Sequence, residues 1–453
     1  MADHLKQPLE SLDECVAWVL SGCKNPRDFK IGTEYERFAI DKHGQPLQYD
    51  GEVSIRTLFD RLIARHGWQP LLENGHPIAL LRNGASVSLE PAGQFELSGG
   101  AFATVGEMQA ELAQHLAEVR DVAEDLGVTL AHVGYNPLMT VAQVPKMPKG
   151  RYAIMRKLMP QVGQNGLDMM HLTCTVQTNL DFSSEIECMQ MHRLGHLLSP
   201  VLIALFANSP LRQGVESGYA TFRAHLWIDV DNARCDVRRF AFDQHATVAD
   251  YVQWVADVPM YFVDKPNPDA SHGYQDLFAE PMSFRQFFER GYHGRRPTID
   301  DWELHASTVF PDIRLKRYLE IRQCDIVPPA VLPALAALTK GLFYDETSRL
   351  AALVLLRDGD ATIDRTALRD AACMHALDTR TGDVHVREWA KEILILATAG
   401  LNRLAVRNGN DADAAKALEP LKAIVAGEQL PLYQVVREKL AKRASLLALA
   451  DGW

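Results

Sequence analysis

The sequence has no apolar run approaching the roughly 20 residues that span a bilayer, which argues against a helical membrane protein. It has no Walker A sequence and no Gly-x-Gly-x-x-Gly, so a nucleotide would be held by neither a P-loop nor a Rossmann turn. It has no Cys-x-x-Cys and no Cys/His spacing suited to zinc, and its seven cysteines are odd in number and widely scattered. They read as reduced thiols rather than a disulfide framework. The opening stretch, MADHLKQPLESLDE, lacks a basic start and an apolar core and carries acids early, unlike a secretory signal or a transit peptide. Together with the thiols, this predicts a cytoplasmic protein. Positive charge is also short: 47 Lys and Arg against 58 Asp and Glu leave a net charge of −11. That argues against a nucleic-acid backbone or an anionic membrane as main partner, while leaving room for an anionic small ligand on a locally basic strand.

No repeat, low-complexity tract or Gly/Ser linker interrupts the 453 residues. A single domain over 1–453 is expected, with a strand-rich core over about 15–325 and a helical packing region over about 328–453. Apolar spacing predicts helices over 8–24, 54–66, 105–127 (closed by Gly127) and 184–207, the last capped by Ser183 or Ser184 and bent at Pro200. Beyond residue 328 the pattern is almost entirely helical: 329–340, 345–356, 364–377, 385–406, 411–424 and 432–449.

Chemistry concentrates in the predicted strands, where side chains alternate between two faces. In TFRAHLWIDVD (221–231) Phe222, Ala224, Leu226, Ile228 and Val230 oppose Thr221, Arg223, His225, Trp227, Asp229 and Asp231. In DIRLKRYLEIR (312–322) Ile313, Leu315, Leu319 and Ile321 oppose Arg314, Lys316, Tyr318, Glu320 and Arg322. LTCTVQTNL (172–180) sets Cys174, Val176, Thr178 and Leu180 against Thr173, Thr175, Gln177 and Asn179; IGTEYERFAI (31–40) puts Glu34 and Glu36 on one face. An antiparallel sheet with one face in water explains any single strand of this kind. Four polar faces rich in Trp, Tyr, His, Gln, Asn and Arg suit a concave, partly dry binding floor better than a solvated surface.

SLEPAGQFELSGG (88–100) adds Glu90 and Glu96 across a Pro-Ala-Gly turn or bulge, and Glu320 supplies a fifth carboxylate. Unpaired charges in apolar-flanked strands are costly, and a hard cation such as Mg²⁺ is a natural partner for several carboxylates. Arg314, Lys316 and Arg322 beside Glu320 are what a metal-held polyphosphate requires. A salt-bridged exposed strand would carry the same residues. MPKGRYAIMRKLMP (147–160) reads as a loop entering a helix that could clamp a carboxylate or phosphate with Lys149, Arg151, Arg156 and Lys157, or as a solvated basic helix start.

At IGTEYERF, SLEPAGQFELSG, MPKGRYAIMR, GLDMM, CTVQTNLDFSSE, LFANSP, DVPMYF, SFRQF and FPDIRLKRYLEIR the chain closely resembles the glutamate–cysteine ligases of the plant and proteobacterial type. These segments span about residues 15–325 in the family's order. The resemblance implies an α+β, glutamine-synthetase-like fold: a curved, mainly antiparallel sheet forming a funnel, backed by helices. It implies ATP- and Mg²⁺-dependent coupling of glutamate to cysteine through a γ-glutamyl phosphate, the first step of glutathione synthesis. Small-molecule substrates are then the partners, with no nucleic acid or membrane, in a monomer or homodimer. Glu34, Glu36, Glu90, Glu96 and Glu320 match the family's metal-binding positions, and Gln177 falls where more distant ligases place a histidine ligand. Arg322 matches the phosphate-contacting arginine, with Lys316 and Arg314 as helpers. Arg151 and Arg223 match arginines that recognise substrate carboxylates, Arg223 being the better candidate for the glutamate α-carboxylate. Tyr261 matches a tyrosine near the cysteine pocket, and Trp227 joins the substrate-binding set.

Plant members carry a regulatory disulfide that closes a hairpin around the segment matching SFRQF (283–287). Here no cysteine lies between Cys235 and Cys324, so that bridge cannot form. The residues leave two rivals open: a carboxylate–amine ligase with another amine, and a metallohydrolase that would need neither the cationic strand nor nucleotide.

Overall fold

The computed structural model describes residues 7–235, 238–265, 273–443 and 445–449. Its centre is a nine-stranded, antiparallel sheet. The strands are β1 (Ile31–Ile40), β2 (Gln69–Glu73), β3 (His76–Arg82), β4 (Ala85–Leu89), β5 (Gln94–Ser98), β6 (Thr129–Ala131), β7 (Thr175–Leu180), β8 (Ile313–Leu315) and β9 (Leu319–Asp325). Their order is β8-β9-β7-β1-β5-β4-β3-β2, with β6 also paired to β1. β1 therefore sits between the two strands that matter most to its carboxylates. Glu34 lies opposite Gln177 of β7, and Glu36 lies opposite Glu96 of β5. Further out, Glu320 of β9 faces Asn179 and Arg314.

The alternation in β1 has a direct consequence for packing. Glu34 and Glu36 face one way, while Tyr35 and Arg37 are buried on the other side against helix Val105–Glu124. Tyr35 Oη reaches Met108 Sδ of that helix, and Arg37 meets His115. The helix starts where the sequence indicates: Thr104 and Glu107 form a reciprocal capping box. Helix Glu185–Leu205 is capped by Ser184, and Pro200 lies within it without ending it. The β4–β5 connection is the expected tight turn, in which Gly93 takes a φ of +82° and donates its N–H to the Glu90 carbonyl.

The C-terminal third is helical as expected, around the wholly buried helix Leu332–Phe343. It crosses helix Val386–Asn408 at two glycines. A Cβ on Gly400 would lie 2.0 Å from the Gly341 carbonyl oxygen, so only bare backbone allows this approach. The stretch 411–424 divides into a 3₁₀ turn, Ala414–Leu418, and helix Glu419–Ala426, where Pro420 sits in the first turn and fits its missing donor.

Two expected strands are corrected. Residues 221–231 form a short helix, Phe222–Leu226, followed by the 3₁₀ turn Trp227–Asp229. Thr221 caps that helix by accepting the Ala224 N–H, a local bond that outweighs the short alternation. Residues 312–322 are a hairpin rather than one strand, because Lys316 N–H bonds the Tyr318 carbonyl and reverses the chain. Arg314 consequently lies across from Glu320 instead of further along the same strand.

Candidate active site

The polar sheet face opens into a cleft bounded by the sheet and the neighbouring helices. Glu36, Glu90, Gln177, Arg151, Arg223 and Arg322 supply its charged and polar lining. Met155, Met169, Met170, Trp227, Phe262 and Phe310 supply an apolar wall. Seven of the anticipated residues therefore converge, from a sheet and from helices far apart in sequence. Glu34, Glu96, Glu320, Arg314 and Lys316 lie beside the cleft on the same sheet region rather than on its wall.

Glu320 organises the cationic side. It is buried and contacted by Arg314 Nε, by Lys316 Nζ at 2.8 Å and by Arg322 Nη1 at 3.4 Å. Burial alone would raise its pKa, but Arg314, Lys316 and Arg322 overcome that and hold it well below the carboxylate range. Arg322 also donates to Gln177 Oε1 at 2.8 Å. The β9 ladder shifts register between Ile321 and Cys324, and in this bulge Arg322 N–H bonds the Asp312 carbonyl. A bulge is a device for re-aiming a side chain, and here it sits at the arginine that enters the cleft.

The glutamate side has the opposite character. Burial pushes Glu34 up, reinforced by the charges of Glu320 and Glu96. Burial, then Glu90 and Glu96, push Glu36 well up; burial and Glu90 push Glu96 up. Their hydrogen bonds are mostly neutral ones. Asn179 donates to Glu34, Thr175 N–H to Glu36, Ser88 and Ser98 to Glu96, and Tyr152 to Glu90. Arg322 beside Glu34, Arg223 beside Glu36 and Lys149 beside Glu96 offset the upward push only in part.

Among the described residues, no three His, Cys, Asp or Glu side chains already form a metal-binding group. The donor chemistry nevertheless fits a hard cation, since this face offers carboxylate, amide and hydroxyl oxygens and no thiolate or imidazole among the cleft-lining residues. The mutual repulsion of Glu34, Glu36, Glu90 and Glu96 is the imbalance such a cation would relieve.

Arg223 is buried, and its two terminal nitrogens donate to the Gln323 and Arg322 carbonyls at 3.3 and 3.0 Å. Its Nε has no hydrogen-bond partner among the described residues. Arg151 lies over the Tyr152 ring at 5.2 Å. Tyr261 is placed differently from expectation. It is buried behind the cleft, under Arg234 at 3.6 Å, and its hydroxyl donates to Asp231. Its ring can shape the wall but does not line it. Phe262, Phe310 and the three methionines lie inside the family motifs, but as apolar residues they resemble ordinary core, and only their membership of those motifs marks them.

A model of glutamate–cysteine ligase family 2 matches residues 30–431 of this chain. The chain belongs to that family. It is 41% identical over 406 residues to rice (Oryza sativa subsp. japonica) chloroplastic glutamate–cysteine ligase B, covering 89% of this chain and 79% of the relative. The Arabidopsis thaliana chloroplastic enzyme is 40% identical over 395 residues, covering 86% and 74%. A crystal structure of Francisella tularensis glutamate–cysteine ligase in complex with AMP shares the fold. Its TM-score is 0.57 at 13% identity, over 93% of this chain and 87% of that one.

These relatives correct the compartment. They are chloroplastic, so the cytoplasmic placement read from composition does not hold. The physical reason is simple: scattered free thiols and an acidic balance suit any reducing aqueous compartment. Among the described residues no helix is long and apolar enough to cross a membrane.

Proposed function

We propose that this family member couples the γ-carboxylate of glutamate to the amine of cysteine at the expense of ATP, giving γ-glutamylcysteine for glutathione synthesis. The observation that carries the reading is a single cleft where a cluster of buried carboxylates meets the Arg314–Lys316–Arg322 cluster around Glu320. Amide formation from a free carboxylate is uphill, so the carboxylate first takes the γ-phosphoryl group of ATP, releasing ADP, and the amine then attacks the acyl carbon and expels inorganic phosphate. Phosphoryl transfer asks the protein mainly for positioning and charge neutralisation. Arg322 reaches the transferring group, with Lys316 and Arg314 adding positive potential from the hairpin. Glu320 keeps the three cations in one orientation. Gln177 fixes Arg322 from the neighbouring strand.

Glu34, Glu36, Glu90, Glu96, Gln177 and Glu320 would hold Mg²⁺, which supplies charge neutralisation for the ATP phosphates. Arg223 receives the α-carboxylate of glutamate from the cleft wall. Arg151 takes the carboxylate of the amine substrate, while Trp227 lines its wall and Tyr261 backs it.

The test is ADP release from the purified protein with glutamate and a panel of amines, with mass-spectrometric detection of the dipeptide. Release that requires glutamate, cysteine and Mg²⁺ together supports the reading. Equal turnover with another amine overturns the cysteine assignment, and turnover without nucleotide overturns the ligase itself. Glu34→Ala and Glu320→Ala are each expected to lose about 100-fold or more in kcat. Near-normal ligation by either removes that residue from the machinery.

A further inference from the structure

Arg223 is not held by its own short helix alone. Asp325, the last residue of β9, is buried beneath it, with its Oδ1 3.8 Å from Arg223 Nη1. The same carboxylate gathers the segment that leads into Arg223. It accepts the Asn208 N–H at 2.8 Å, the Ser209 hydroxyl at 2.6 Å and the Thr221 hydroxyl at 2.9 Å. Two of these have a second task at or beside Arg223's backbone. Ser209 Oγ accepts the Arg223 N–H at 3.1 Å, and Thr221 caps the helix by accepting the Ala224 N–H at 3.1 Å. The Asn208, Ser209 and Thr221 hydrogen bonds each bring a donor to Asp325, as a carboxylate requires.

Space is reserved for this carboxylate. A Cβ on Gly134 would lie 2.4 Å from Asp325 Cγ, and Gly134 N–H is itself bonded to the Asn208 carbonyl. The carboxylate also stands on the strand that carries Glu320 and Arg322, just past the bulge. One buried group thus ties the phosphate-facing strand to the guanidinium on the far wall.

We infer that Asp325 is a positioning residue for the amino-acid substrate: it fixes the height and direction of Arg223 relative to Arg322. It touches no substrate. The inference rests on the reading of Arg223 as the receptor for the glutamate α-carboxylate. If that reading holds, loosening Asp325 weakens glutamate binding selectively, because ATP and the amine are bound by other residues. A latch that only stabilised the fold would lower the amount of active enzyme without changing the affinity for one substrate.

The experiment compares Asp325→Asn, Ser209→Ala and Arg223→Lys with the parent enzyme under saturating co-substrates. Hydrogen bonds to charged groups are strong enough that Asp325→Asn should raise KM for glutamate about tenfold or more. Ser209→Ala removes one ligand of the latch and should raise it by about threefold. KM for ATP and cysteine should stay within about twofold in both. If Asp325→Asn does not fold, Ser209→Ala decides by the same criterion. A raised glutamate KM in Arg223→Lys, with no selective change in the other variants, overturns the positioning role and leaves the reading of Arg223 intact. An unchanged glutamate KM in Arg223→Lys overturns both.

Discussion

Asp312 joins three parts of the molecule through one buried carboxylate. Arg369 of helix Arg365–His375 donates to it twice, at 2.8 and 3.0 Å, and Ser199 of helix Glu185–Leu205 donates at 2.5 Å. Its main-chain carbonyl also accepts the Arg322 N–H at the β9 bulge. Burial would raise the Asp312 pKa, but Arg369 and Ser199 more than offset it and bring it from 3.8 to about 2. That difference corresponds to about 2.5 kcal/mol of stability at neutral pH. Asp312→Asn removes the carboxylate and leaves the Arg369 guanidinium buried without its partner, which typically costs about 3–5 kcal/mol. The variant is therefore expected to lose about 2.5–5 kcal/mol at pH 7. Because the folded pKa is depressed, the contribution is fully present above the unfolded value of 3.8 and disappears as pH falls through about 2. Urea unfolding of parent and variant should show a constant gap from pH 7 to 5 and a narrowing one only below about pH 4. A cost under about 1 kcal/mol, or a gap that already closes between pH 7 and 5, refutes this account.

Four other outcomes can be measured. Gly400→Ala drives a methyl into the Gly341 carbonyl and should destabilise the helix crossing by about 2 kcal/mol or more, read as a lowered unfolding midpoint. An unchanged midpoint would mean that the helices do not meet there. Six of the seven cysteines are buried and Cys23 is half-exposed, so a thiol reagent should modify Cys23 first and the others only on unfolding. Burial, then Glu36, push the Cys174 thiol well up, and activity should be indifferent to mild oxidants; reversible loss on oxidation would contradict this. Chelation should abolish ADP release and Mg²⁺ should restore it, whereas full activity in excess chelator would remove the metal from the reaction.

The sequence by itself determined the elements whose signals are local and long. β1, β7 and helix Val105–Glu124 appear where periodicity places them, because burial on one face is written in neighbouring residues, although the helix ends at Glu124, short of the expected Gly127. It also determined which side of β1 carries carboxylates, since that follows from alternation alone. The family motifs then identified most of the cleft.

Tertiary structure decided the rest. Residues 221–231 alternate like a strand, but the Thr221 cap and its bond to Asp325 make them helical. Arg314 and Glu320 look like neighbours along one strand until the turn at 316–318 sets them face to face. Tyr261 has the motif of a lining residue, yet Arg234 and Asp231 draw it behind the wall. Asp325 carries no sequence signal at all. Its role comes from partners more than a hundred residues away in the chain, and only the fold brings those donors to one carboxylate.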